Sequence, residues 1–109
     1  MDYPNLRHVR LFCACVRSGS LTQAAESVAV SQPAASQAIT RLEAFYGSQL
    51  LERHQRRTAP TADGLILQAR AMRALELIRN GCQRLGAGAA CSSLLAETRL
   101  TIGHLTVLQ

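Results

Sequence analysis

Lysine is absent from this 109-residue chain; all twelve of its basic residues are arginine. Tryptophan is absent as well, and aromatic residues make up only 4%. A core with so few rings has to be built from Leu, Ala, Val and Ile, which suits small, closely packed helices. With 48% apolar residues the chain can bury such a core, and its composition is not that of a disordered segment. Seven acidic residues against twelve arginines leave a charge of +5, which points to an anionic partner. Arginine offers that partner a planar fork of donors, although a GC-rich genome would also favour Arg and Ala.

Other absences narrow the chemistry. The four cysteines, Cys13, Cys15, Cys82 and Cys91, form no Cys-x-x-Cys pair, and no histidine sits at zinc-ligand spacing. Cys13 and Cys15 are two apart on a predicted helix, so they point in roughly opposite directions and share a metal poorly. They read as buried small hydrophobes, with one or two exposed thiols elsewhere. No nucleophile–base pair and no Gly-rich phosphate loop appears, so neither an enzyme nor a cofactor or metal site is expected. The apolar run from Leu11 to Val16 is too short for a signal peptide, and no segment is long enough to span a membrane. A reducing cytoplasm is the expected compartment. The length suits one small domain and is short for two.

Apolar periodicity organises the rest. Leu6, Val9, Phe12, Cys13 and Val16 form a helical stripe, and Gly19 marks its end. Ser20 with Gln23 is a capping box that opens a short second helix, whose inner face is Leu21, Ala24, Ala25 and Val28. After a tight Ala29-Val30-Ser31 connection, Ser31 caps a third helix with Pro33 in its first turn. That helix runs to about Tyr46 and is stopped by Gly47. One side carries Ala35, Ala38 or Ile39, Leu42 and Phe45 or Tyr46; the other carries Pro33, Ser36, Gln37 and Thr40. From Leu50 to Pro60 two short strands are expected, with a basic tip containing Arg53, Arg56 and Arg57. Thr61 caps a long helix over about 62–85, roughly 35 Å in length. Leu65, Ala69 and Met72 are expected to lie inward. Leu67, Ala71, Leu75, Ile78, Cys82 and Leu85 form a 4-4-3-4-3 seam of the kind that meets a partner helix. The far half of so long a helix outruns the small core before it and needs another surface. A linker of small residues follows, and residues 99–108 open with strand-like alternation. A single strand has no sheet to join here, so a truncated longer protein is expected.

Two short helices joined by a tight turn, the second with a polar outer face, form a helix-turn-helix arrangement. Base edges in a major groove ask for bidentate donors and acceptors. Gln32 and Gln37 suit adenine, Pro33 and Ala34 suit a thymine methyl, and Ser36 and Thr40 reach bases or phosphates. The start of the helix at Ser31 suits a phosphate, and Arg41, one turn past Gln37, faces the backbone. A polar helix face or a charge run is by itself ordinary solvated surface. The weight lies in a basic tip placed beside such a helix.

These residues also carry a family resemblance. Phe12, the run from Ser18 to Ala25, the run from Val30 to Ser36, Ile39, Leu42-Glu43, Gly47, Leu50-Leu51, Arg53, Thr61 and Gly64 stand in one order without gaps. Over residues 6 to about 86 the chain resembles the amino-terminal part of LysR-type transcriptional regulators, and Arg99–Gly103 is more weakly similar to the opening strand of that family's effector-binding domain. The chain departs from the family pattern at Ala35, at Leu51 and at Asp63, whose charge suits the positive end of a helix.

The resemblance implies a mainly α fold, a winged helix-turn-helix with a long C-terminal dimerisation helix. The implied divisions are 1–61 for DNA binding, 62–86 for the dimerisation helix, and 87–109 for a hinge and the start of an effector domain. It implies double-stranded DNA as partner, read as an interrupted palindrome by a homodimer. Gln32, Pro33, Ala34, Ser36, Gln37 and Thr40 would lie in the major groove. Ser31, Arg41 and Arg53 would meet phosphates, and Arg56 and Arg57 the minor groove. Full-length members usually form tetramers and respond to a small-molecule effector, which requires the domain missing from this chain. A protein-interaction module on the same fold, dimeric but no longer reading DNA, is the competing reading. A redox role for Cys82 at the seam is a further idea.

Overall fold

The structure, a computed structural model, describes residues 3–55, 57–85 and 88. Four helices and one hairpin follow in order: α1 (Leu6–Ser18), α2 (Leu21–Ser27), α3 (Gln32–Tyr46), β1 (Leu51–His54), β2 (Arg57–Pro60) and α4 (Ala62–Leu85). The chain divides into two compact units, Met1–Gln68 and Ala69–Gln109. The expected mainly α winged helix-turn-helix is what forms.

Local chemistry sets the helix ends of the first unit. Asn5 caps α1 by accepting from the Arg7 amide, and Gly19 closes it at φ 70, a left-handed conformation that glycine adopts without strain. Ser20 accepts from the Gln23 amide at 3.2 Å, one half of the expected capping box. The other half is replaced. The Ser20 amide donates to Ser18 Oγ at 3.2 Å, so Gln23's side chain is not used there. Gly47, at φ 64, ends α3 as the sequence implies.

The core of this unit is α1. Val9, Leu11, Phe12, Cys13, Ala14 and Cys15 are all buried, with Ala24 and Ala25 of α2 and Ala35, Ala38, Ile39 and Leu42 of α3. α1 is covered by α2 and α3 and also by β2. This is why Cys13 and Cys15 are both buried although they point apart. Burial pushes the Cys13 thiol from 9.0 to about 12, with Cys15 beside it adding to the rise. Burial likewise raises Cys15 to about 11, against the opposing charge of Arg53. Both thiols stay neutral in the folded state. Their stabilisation is therefore complete below the ordinary thiol range and is lost as pH rises from 9.0 toward 11 and 12. Accordingly, Cys13 and Cys15 should resist a disulfide reagent at pH 8 until denaturant is added, while half-buried Cys82 reacts first. The urea midpoint should fall between pH 8 and pH 10.5. Rapid native labelling of Cys13 and Cys15 would contradict this.

The face of α4 differs from expectation. Leu65 is 54% exposed and Ala69 is exposed, whereas Ala71 and Leu75 of the expected seam are already buried within the chain at 4% and 2%. The cause is Gly64. A Cβ there would stand 2.1 Å from the Leu50 carbonyl oxygen, so this face of the first turn is pressed against backbone. A helix advances about 100° per residue, which puts Leu67, Ala71, Leu75, Ile78, Cys82 and Leu85 on the Gly64 stripe and turns Leu65 and Ala69 away from it. The remaining seam members keep open surface. Leu67 and Cys82 are half-buried, Ile78 is 39% exposed and Leu85 is 89% exposed.

No helix among the described residues is long and apolar enough to cross a membrane, and no group of three or more His, Cys, Asp or Glu there could hold a metal ion. The expected linker and strand over 87–109, together with Cys91 and Arg56, lie outside the described residues, save Gly88.

Candidate nucleic-acid interface

The presentation of α3 begins in the turn before it. Ala29 adopts a left-handed φ of 59, and the Val30 amide donates back to the Ala25 carbonyl at 3.0 Å. The chain thus reverses in four residues. Ser31 then accepts from the Ala34 amide at 3.2 Å and caps the helix, with proline in its first turn. With Ala35, Ala38, Ile39 and Leu42 turned into the core, the opposite side of α3 has no choice but to face outward. Gln32, Pro33, Ala34, Gln37, Thr40 and Arg41 are exposed, and Ser36 is half-buried. Every α3 residue singled out from the sequence is on that side.

The hairpin is held beside it from both ends. β1 and β2 pair antiparallel in the register Leu51↔Pro60, Glu52↔Ala59, Arg53↔Thr58 and His54↔Arg57. Gln55, at φ 59, turns the tip. On β2, the Thr58 amide donates to the Gly19 carbonyl at 3.0 Å, and Thr58 Oγ1 donates to the Cys15 carbonyl at 3.4 Å. On β1, the Glu43 carboxylate of α3 accepts from the amides of Leu50 at 2.8 Å and Leu51 at 3.3 Å. Side chains alternate along a strand. Buried Leu51 therefore points Arg53 toward the helices, and Arg53 Nη1 donates to Ser36 Oγ of α3 at 3.2 Å. Arg57 and Gln55 remain exposed.

Between α2 and the hairpin lies a concavity of about 730 Å³, lined by Thr22, Gln23 and Glu26 of α2, by Arg53, Gln55 and Arg57 of the hairpin, and by Gln32 at the start of α3, among others. Glu26 is its one acidic residue among the described residues. Thr22 and Gln23 are not among the groove and phosphate residues expected from the sequence. The only sequence signal for them is that Ser20 begins a helix there, which brings the first turn of α2 up to the hairpin. Asp63, out of pattern for the resembled family, receives a hydrogen bond from the Ser48 hydroxyl.

Comparison with known proteins agrees with this geometry. Residues 6–65 match the family described as bacterial regulatory helix-turn-helix protein, lysR family. The transcriptional activator protein LysR of Escherichia coli (strain K12) is 44% identical over 63 residues, 58% of this chain and 20% of that protein. The nitrogen assimilation regulatory protein nac of Klebsiella aerogenes is 46% identical over 67 residues, 62% of this chain and 22% of that protein. The chain thus spans about a fifth of the length of these relatives. Among solved structures, the CbnR_DBD–DNA complex superposes with a TM-score of 0.70 at 35% identity, covering 73% of this chain and 92% of that one. The BenM_DBD/benA site 1 DNA complex gives 0.69 at 35% identity, covering 72% and 92%.

Proposed function

The chain belongs to the lysR family of bacterial regulatory helix-turn-helix proteins, and on that premise we propose that it is the DNA-reading part of a transcription regulator that binds an interrupted palindrome as a dimer. The observation that carries this reading is the outward polar side of α3 with the arginine-bearing hairpin fastened next to it. A face meant for a protein partner would more often be apolar.

In this reading α3 lies in the major groove. Gln32 and Gln37 pair with adenine, whose N6 and N7 match an amide's acceptor and donor. Pro33 and Ala34 meet thymine methyls. The N-terminus of α3 at Ser31 and the guanidinium of Arg41 meet phosphates, which fix register without reading sequence. The wing carries Arg57, and in sequence Arg56, toward the adjacent minor groove. Residues 1–61 form the reading head, 62–86 the pairing helix, and 87–109 are a hinge and the start of an effector-binding domain. The open part of the α4 stripe, Leu67, Ile78, Cys82 and Leu85, joins two copies.

A selection from random duplexes, read by sequencing, tests the whole reading, and an enriched interrupted palindrome is expected. On the selected site, Gln37→Ala should cost about 1–3 kcal/mol of discrimination at one base pair. Arg41→Ala should weaken binding to all sequences alike and lower the slope of log K against log salt by about one. Absence of any enriched sequence, with dimerisation intact and no binding even at low salt, would instead favour an interaction module on the same fold.

A further inference from the structure

The helical hydroxyls of this unit differ in what they do with their proton. Ser18 Oγ donates to the Ala14 carbonyl at 2.8 Å, Ser27 Oγ to the Ala24 carbonyl at 2.8 Å, and Thr40 Oγ1 to the Ser36 carbonyl at 3.1 Å. Each satisfies a carbonyl of its own helix, the usual behaviour of Ser and Thr within helices. Ser36 departs from it. Its hydroxyl oxygen accepts from Arg53 Nη1 at 3.2 Å, across seventeen residues of sequence, and no carbonyl among the described residues takes its proton.

A hydroxyl has one proton and two lone pairs, and a guanidinium is a donor only. The contact therefore occupies a lone pair of Ser36 and leaves the proton pointing away from Arg53. Arg53 is well placed to hold it there. It follows buried Leu51 by two residues on a strand whose pairing to β2 is anchored by Thr58 to α1, while Glu43 ties the start of that strand to α3.

We propose that Arg53 is a positioning residue that acts through Ser36. By holding the Ser36 hydroxyl as an outward donor, the wing makes α3 select, at one position of one strand, for a base with an acceptor on its major-groove edge (guanine N7 or O6, adenine N7, or thymine O4) over cytosine, which offers only an amino donor there. Thr40, one turn on, is of opposite polarity. Its proton is engaged by the Ser36 carbonyl, so it offers lone pairs outward and suits an amino group. The inference rests on the reading of α3 as the base-reading helix.

The test uses the full chain and its selected duplex, with every base pair varied in turn and 7-deazapurines replacing purines under α3. At one position of one strand the wild type should prefer guanine, adenine or thymine over cytosine by about tenfold. Ser36→Ala and Arg53→Ala should each bring that preference below about twofold, and the double variant should lose no more than either alone, since one contact acts through the other. Arg53→Lys, which keeps a donor, should retain most of the preference. Arg41→Ala should lower affinity and leave the preference at that pair intact. The inference is overturned if Arg53→Ala weakens binding and lowers the salt slope while the base preference stands, which would make Arg53 a phosphate contact. A uniform loss across all base pairs in Ser36→Ala would overturn it too. A wild type that prefers no base pair at any position would instead remove the DNA reading itself.

Discussion

Replacing Gly64 by alanine should destabilise the first unit by about 3 kcal/mol or more, beyond the usual range for overpacking by one methyl group. On an open helix surface the same change would be mildly stabilising, by about 0.5–1 kcal/mol, because alanine is the better helix former. The sign reverses here because the new Cβ would lie 2.1 Å from the Leu50 carbonyl oxygen and 3.1 Å from its carbon. Both are backbone atoms and cannot swing aside as a side chain would. They are also engaged. The Leu50 carbonyl accepts from the Thr61 amide at 3.0 Å, the Thr61 hydroxyl donates to the Gln49 carbonyl at 2.6 Å, and that hydroxyl accepts from the Gly64 amide at 3.0 Å. Moving the carbonyl to admit a methyl group breaks this hook, which joins the start of α4 to the strand before it. For a domain of this size the expected fall in melting temperature is roughly 10–25 °C. Scanning calorimetry of Gly64→Ala beside a Gly81→Ala control, where a Cβ would meet nothing within 4 Å, separates close approach from helix propensity. A melting temperature at or above wild type in Gly64→Ala would mean that the backbones do not approach as described.

Residue by residue, what could be read from the sequence was what depends on near neighbours in the chain. Gly19, Ser20, Ser31 and Gly47 end or begin helices through bonds that span at most five residues, so each stood where the sequence put it. The outward side of α3 was equally readable, because its inner side is set by one apolar period. The features that escaped are those in which distant segments meet. The amide of Ser20 has two serviceable partners close by, and only the folded corner shows that Ser18 rather than Gln23 takes it. Glu43 looks like an ordinary helical carboxylate until two strand amides are found on it. Arg53 looks like one of a run of exposed charges; its bond to Ser36 appears only when β1 is laid beside α3. The inner face of α4 was misread for the same reason. Its apolar residues occupy two sides, Leu65, Ile66 and Leu77 on one and Ala71 and Leu75 on the other. Periodicity cannot choose between two apolar sides. A glycine pressed on a carbonyl does so for the first turn, where Gly64 meets Leu50.

That choice shapes what is expected of α4 when two copies meet. Ala71 and Leu75 are already covered within one chain, so on the proposed dimer the partner helix must be taken up by Ile78 and Leu85 further along the same stripe, at 39% and 89% exposure. Ile78→Glu with Leu85→Glu places two carboxylates where apolar side chains would meet their counterparts. Uncompensated charges at such a contact are costly to desolvate. In the single chain both positions are open to solvent, so folding should be little affected and the melting temperature of the dilute variant should match that of the wild-type monomer. The consequence for DNA should be far larger. A dimer that grips two half-sites gains from the second head being held nearby, commonly by about 10²–10⁴ in affinity over a single head. Affinity for the full palindrome should therefore fall by about that factor, while affinity for an isolated half-site stays as it was. Sedimentation equilibrium together with titrations on full and half sites reads both quantities. If the variant remains dimeric, the pairing surface lies instead on the opposite side of α4, where Leu65, Ile66 and Leu77 are the next residues to replace. If it becomes monomeric and binds the palindrome as tightly as before, the two half-sites are not read by one dimer.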